Sequence, residues 1–463
     1  MTALNEIVYR PVSKPELDCS NKPVLLDDKT MEERYQKILS KMQNENMDTL
    51  VVYGDLEHGS NFEYLTGFLP RFEEALLVIH KNGENFMLMG NENLNKVSSA
   101  RIKATAVHAP YFSLPNQPMS MEKNFRELLL EAKICESSCV GIAGWKNFTS
   151  QREDNAQLYD VPSMIVDEIK GIVGEAGKVK NATYFFIGNK GARCINNVNE
   201  IEHYEYGAAL ASDAMLKAMD ALEVGVSELE LGSILNAQGQ RNSVVTIAAS
   251  GKRFVKANLY PTDNTVKVGD PISLTVAYKG GLSSRAGYAV QECAQLSEST
   301  RDYVDKVVKP YYHAYVTWLE EVHCGMQGKE VYDRIQQVLP KEIYHWSLCP
   351  GHLVADEEWM SSPIYDGSEE VLESGMLFQI DIIPSVSGYA GTSAESTVLL
   401  ADEKLQEEIQ KQAPKLWKRI QKRREYLESE LHIALHPELL PMCSTVAYLR
   451  PLLLNKEMAM AVK

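Results

Sequence analysis

CPGHLVADEEWMSSP (349–363) sets a histidine, His352, directly after a glycine in a stretch with neither helical nor alternating hydrophobic periodicity. A lone imidazole in an irregular segment reads as a metal ligand, an acid–base group or a structural residue. Imidazole titrates near neutral pH and its unprotonated nitrogen binds metals, so the flanking segments must decide. Downstream lie two apolar, strand-like runs, MLFQIDIIP (376–384) with Asp381 and AESTVLLAD (394–402) with Glu395. Upstream, VVTIAASG, PISLTVAY and GYAVQECAQL read as further strands, the last spanning 287–296.

The rest of the 463 residues frames these segments. That length exceeds one ordinary core, so two unequal domains are expected. A 44% hydrophobic and 24% charged composition is that of a folded, water-soluble chain. A formal charge of −16 leaves no basic face to neutralise phosphates, which argues against nucleic acid and anionic membranes as partners. The start, MTALNEIVYR, lacks the basic-then-apolar run of a signal peptide. No apolar stretch approaches the roughly 20 residues that span a bilayer. The eight cysteines are scattered without zinc-ligand spacing, which suits reduced thiols and a cytoplasmic location.

Along residues 1–185, helical and apolar runs alternate. MEERYQKILSKMQNE (31–45) has helical spacing, DTLVVYG (48–54) is a buried strand, and EALLVIHKNGENFMLM (74–89) is two strands around a Lys-Asn-Gly turn. This reads as an α/β domain. From 186 to 430, helices and strands are grouped rather than alternating, which fits an α+β domain with a largely antiparallel sheet. Its helices are expected over 197–225, closed by glycine, over 227–238 with Ser227 and Glu230 as a capping box, near 299–323 and 329–338, and as one charged helix over 402–429. Residues 431–463 form an apolar, proline-bearing tail packed on the body.

PISLTVAYKGGLSSRAGY (271–288), CPGHLVADEEWMSSP, MLFQIDIIP and TSAESTVLL (392–400) resemble, in order and spacing, the creatinase, aminopeptidase P, prolidase and methionine aminopeptidase family, the pita-bread fold. SNFEYLTGFLPRFEEALLVI (60–79) is similar to the amino-terminal domain that several members carry. The resemblance implies a creatinase/prolidase-like N-terminal α/β domain followed by a pita-bread domain. It also implies a homodimer and a small-molecule or short-peptide substrate.

Metal-dependent members hold two divalent ions with two aspartates from a strand and its turn, a Gly-His histidine and two glutamates. Hard oxygens and one imidazole suit such ions. The resemblance sets His352, Asp381 and Glu395 on three of these positions, with Ser273 and Arg285 on the two aspartates. Arginine stays protonated and offers no lone pair. No metal is therefore expected, and Arg285 is assigned to hold a pocket acid or a substrate carboxylate bidentately, or to fill the vacated metal position as a structural ion pair. One divalent ion at His352, Asp381 and Glu395 is the minority alternative. The histidine that creatinase uses as base falls on Asn258, and no histidine lies between His203 and His313. A second peptidase histidine falls on Trp359. His352, Asp381 and Glu395 are thus the catalytic candidates, and Arg285, Tyr260, Asn258 and Trp359 the substrate-binding ones. Tyr288 reads mainly as core, Cys349 as a buried hydrophobe, and Asp356-Glu357-Glu358 as a solvated acidic face. The leading expectation is a metal-independent hydrolase of a C–N bond in a small amino-acid-like or short-peptide substrate. The competing readings are an inactive pseudo-peptidase used as a binding module, and a conventional metallo-aminopeptidase or Xaa-Pro dipeptidase.

Overall fold

The computed structural model describes residues 2–117, 123–256 and 259–463, which form two units: Leu26–Cys194, and Met1–Leu25 together with Ile195–Lys463. This division differs from the expected 1–185, 186–430 and 431–463 at both ends of the chain. Strand β1 (Ile7–Pro11) pairs antiparallel with the strand that ends the chain, Met458–Val462, so both termini belong to the larger unit. Pairing between opposite ends of a chain leaves no local sequence pattern, which is why it was not foreseen.

The smaller unit is a six-stranded mixed sheet of β2 (Thr49–Gly54), β3 (Ala75–His80), β4 (Asn85–Met89), β5 (Thr105–His108), β6 (Cys139–Ala143) and β7 (Lys178–Asn181), ordered β5-β4-β3-β2-β6-β7. β3 and β4 form the hairpin expected at Lys-Asn-Gly, with Gly83 at φ 87°, the left-handed region that glycine tolerates. Val51, Val78, Leu88 and Ile142 of the sheet and Ile165 and Ile169 of the helix Ser163–Val173 share one buried core.

In the larger unit, β8 (Ile247–Ser250), β9 (Pro271–Tyr278) and β10 (Gly281–Tyr288) form one antiparallel sheet. β11 (His352–Leu353), β12 (Leu377–Gln379), β13 (Thr397–Leu400) and β14 (Leu439–Pro441) form a second, and β15 (Met458–Val462) is the partner of β1. A bridge between Ala286 and Ser393 links the two larger sheets. The chain therefore turns back at Lys279-Gly280, and the strand expected over 287–296 lies earlier, in GLSSRAGY, whose small and polar residues hide it from a hydrophobicity reading. The helix Val198–Ala221 lies against this hairpin. At Gly207 an added Cβ would sit 1.8 Å from the Lys279 carbonyl oxygen, so the close approach of helix and turn requires glycine.

That helix gives way to extended backbone at Leu222 instead of running to Gly225. The helix Glu228–Leu235 carries the Ser227–Glu230 capping box. Pro414, which has no N–H to continue a helix, divides 402–429 into Glu403–Gln412 and Pro414–Ser429. In place of one helix near 299–323, a π turn at Val304–Val308 leads into Lys309–Glu321. Gly328–Val338 follows. One motif occurs twice in this unit. Gly225 donates to the Val266 carbonyl and Gly325 to that of Leu372, and capping boxes follow at Ser227/Glu230 and Gln327/Glu330. Among the described residues, no helix is long and apolar enough to cross a membrane.

Candidate active site

Residues facing one another across antiparallel strands share a face, and neighbours along a strand alternate. In the second sheet His352 faces Gln379 and Gln379 faces Thr397; continuing that register two residues brings Asp381 opposite Glu395. On the other side, the Ala286–Ser393 bridge and the Ser284 N–H donated to the Glu395 carbonyl bring Ser284 opposite Glu395. Ser284 in turn faces Thr275, and their hydroxyls lie 2.9 Å apart. Thr275, Ser284, Glu395, Asp381 and His352 thus line one face.

His352, Asp381 and Glu395 are all buried and offer one ligand atom each within 4.8 Å of one another. From His352 Nε2, Asp381 Oδ2 is 3.8 Å away and Glu395 Oε1 4.0 Å. A third carboxylate is closer still: Glu358 Oε1 lies 3.0 Å from Nε2. The Trp359 ring stacks on the imidazole with centroids 4.0 Å apart and planes at 24°. His352 Nδ1 lies 3.2 Å from the Leu353 carbonyl oxygen, which can only accept. That contact assigns the proton to Nδ1 and leaves the Nε2 lone pair aimed at the acids. Both His352 Nε2 and Asp381 Oδ1 are buried without a correctly angled hydrogen-bond partner. Glu358 stands beside Nε2 but off the direction of the ring nitrogen.

Burial of so many acids together sets their protonation. Burial, with Glu358 adding to it and His352 opposing it, pushes Asp381 up to about 6. Burial, then Asp381 and Glu358, hold Glu395 well above the usual carboxylate range. Burial alone would lower His352, but the neighbouring Glu358 and Asp381 outweigh it and raise it.

Arg285 takes no part in this cluster, contrary to the sequence assignment. It faces Leu274, one residue out of step with Thr275 and Ser284, and so points to the opposite face. Its guanidinium is fully buried and donates to the carbonyls of Ser284, Glu395, Thr445 and Tyr448 and to the Ser396 hydroxyl, with no carboxylate among its partners. It ties the chain after β14 to the back of the site. The ground for expecting no metal, a guanidinium among the acids, is therefore gone. The family's two-ion set still does not fit, because Ser273, Thr275, Ser284 and Ala286, the hairpin positions on the site face, are all uncharged.

The other candidates separate. Tyr260 is 73% exposed, and its backbone carbonyl accepts from Arg253. Asn258 lies outside the described residues. Tyr288 is buried, accepts from the Ala390 N–H and packs edge-on against Tyr303, a core role. Burial raises the Cys349 thiol, which disfavours the nucleophilic thiolate. Asp356-Glu357-Glu358 is not a solvated face: Asp356 is buried and accepts from the Tyr204 hydroxyl, and Glu358 joins His352. Three consecutive acids imitate a surface run. Their adjacency to the Gly-His pair was the one available signal.

Residues 202–402 match the model of metallopeptidase family M24. A Xaa-Pro dipeptidase of Lactobacillus helveticus is 24% identical over 212 residues, 44% of this chain and 56% of that enzyme, so the chain spans little more than half of this curated relative. Among solved structures, a prolidase from Thermococcus sibiricus superposes with a TM-score of 0.62 at 18% identity, covering 82% of this chain and 96% of that one. Dipeptidase PepE from Mycobacterium ulcerans gives 0.62 at 14% identity, covering 81% and 94%. These likenesses extend the shared fold over both units of the chain. Its four signature segments and its two-unit architecture agree with these similarities, which support the creatinase, aminopeptidase P and prolidase family, the pita-bread fold, for this chain.

Proposed function

We propose that this protein hydrolyses the amide C–N bond of a short, peptide-like substrate, with His352, Asp381 and Glu395 holding a single divalent cation. The observation that carries the reading is the pair of orphaned, buried atoms, His352 Nε2 and Asp381 Oδ1, in a cluster of hard donors. Such an ion, when bound, supplies a water that ionises near neutral pH and polarises the scissile carbonyl. The chain's own residues do the rest. The Leu353 carbonyl fixes the imidazole tautomer. Trp359 covers one face of His352 and keeps water from it. Thr275 and Ser284 present neutral hydroxyls where a second cation would need anionic ligands. The Xaa-Pro dipeptidase among the relatives supports a dipeptide-sized substrate. A homodimer in the cytoplasm belongs to the same proposal.

A second reading, metal-free hydrolysis with His352 as general acid–base, is favoured by the raised protonation of His352 beside Asp381 and Glu358. One experiment separates the two. Metal-stripped protein is assayed against Xaa-Pro dipeptides, N-acyl amino acids and guanidino acids, then refilled with Mn²⁺, Co²⁺ or Zn²⁺. Turnover that needs one equivalent of metal and disappears in His352→Ala supports the first reading. Turnover that survives stripping replaces it with the second. No turnover under either condition leaves a binding module on a peptidase scaffold and removes both.

A further inference from the structure

The acid nearest His352 Nε2 is neither of the two that the family resemblance assigns. Glu358 sits 3.0 Å from that nitrogen, against 3.8 Å for Asp381 and 4.0 Å for Glu395, and its side chain is only 14% exposed. Donor atoms bound at about 2.1 Å around a tetrahedral centre stand about 3.4 Å from one another. The three separations from Nε2 bracket that value. The buried Nε2 and Asp381 Oδ1, both without a hydrogen-bond partner, are an independent observation that points to a ligand in the cluster.

We propose that Glu358 is the fourth protein ligand of the cation, closing from the 355–360 loop on an ion held by His352, Asp381 and Glu395. The inference rests on the single-cation reading above and goes beyond it, because the five ligand positions of the family include no counterpart of this residue. In place of two aspartates from the hairpin, the site draws one carboxylate from the loop that follows its histidine. Trp359, the next residue, stacks on the same imidazole and fixes the loop there.

The test uses the full-length, metal-free protein and Co²⁺ alone, with no substrate. Calorimetry gives stoichiometry and affinity, and the visible absorption of bound cobalt reports the number and kind of its ligands. The wild type is expected to bind one Co²⁺ per chain. Glu358→Gln, nearly isosteric, is expected to bind at least about 10- to 100-fold more weakly, since even partners one step removed from a metal cost that much, and to show an altered cobalt spectrum. Unchanged affinity and spectrum in Glu358→Gln overturn the proposal and leave the single-cation reading standing. No Co²⁺ bound by the wild type overturns both. If Glu358→Gln fails to fold by circular dichroism, the cobalt-loaded wild-type crystal decides. A Glu358 oxygen within about 2.3 Å of the ion supports the assignment, and one out of bonding reach overturns it.

Discussion

Glu205 and Glu395 are both buried glutamates of the same unit, and burial treats them oppositely. Glu205 accepts from Arg419 Nε and Nη2 at 2.9 and 2.7 Å and from Arg423 Nη2 at 2.6 Å, while Arg423 also forks onto Asp18. Those guanidiniums more than repay its desolvation, and its carboxyl is held below the usual range. Glu395 meets Asp381 and Glu358, and the one buried guanidinium behind it, Arg285, spends its donors on carbonyls. The first cluster is closed: each acid has a fitted cation. The second is open, with excess negative charge, raised protonation and unused lone pairs. A fold can maintain the open cluster at neutral pH only by retaining protons or admitting a cation. That is the physical difference between an ion pair that holds a structure together and a site that can do chemistry.

Removing a member of each cluster should expose the contrast. The largest effect is expected for His352→Ala, which should lower turnover on the responsive substrate by about 10²- to 10⁴-fold. The fold, read by circular dichroism and urea denaturation, should be retained. A loss of turnover that tracked loss of fold would erase the distinction. Next, Glu205→Gln should cost about 3–5 kcal/mol in urea denaturation, because Arg419 and Arg423 lose the buried carboxylate they share and only Arg423 keeps a second acid, Asp18. Arg285→Ala belongs with it: several buried carbonyls lose their donor, and roughly 3–5 kcal/mol should go, while the pH profile of any activity stays where it was. A moved profile would return Arg285 to the site.

The third comparison is in sign. Glu205 is held low, so its stabilisation is present above the ordinary glutamate value near 4.5 and is lost as the pH falls. Asp381 is held high, from 3.8 to about 6, so its contribution is full at acid pH and is lost as the pH rises through about 6. Metal-free Asp381→Asn should therefore be more stable than the wild type at pH 7, by about 1–2 kcal/mol, with the gain shrinking toward pH 4. Thermal unfolding of both proteins from pH 4 to 8 reads this directly. A loss of stability at pH 7 in Asp381→Asn would mean that the acid is compensated after all.

How much of this was legible in the sequence depended on range and parity. Capping boxes and the Lys-Asn-Gly hairpin are encoded within a few residues, and they could be read locally. His352, Asp381 and Glu395 each sat in a segment with its own signature, so their convergence could be anticipated before any coordinates. Arg285 was misread because a strand shows alternate residues to opposite faces. A one-residue error in register therefore turned a structural clamp into a supposed site residue. Glu358 was missed because its loop has no period, so nothing in the sequence says which of three consecutive acids stands beside His352 and which, like Asp356, is buried elsewhere. The repeat of Gly225–Glu230 at Gly325–Glu330 escaped because it is a repeat of backbone hydrogen bonds more than of side chains.

The smallest expected effect concerns Trp359, whose ring shields His352 without bonding to anything charged. Offset aromatic stacking of this kind contributes about 0.5–1.5 kcal/mol, so Trp359→Ala should destabilise the chain only by that order. Its larger consequence should lie in the imidazole's environment. Burial pushes His352 down while Glu358 and Asp381 push it up, and opening one face to water weakens both influences together. Because the acids dominate at present, hydration should bring His352 back toward its ordinary value from above. Nuclear magnetic resonance titration of the His352 ring in metal-free protein measures this. A downward displacement in Trp359→Ala places the acids in command of the site. An upward one would mean that burial by Trp359 was the stronger influence, and that the contrast with the Glu205 cluster had been drawn on the wrong balance of forces.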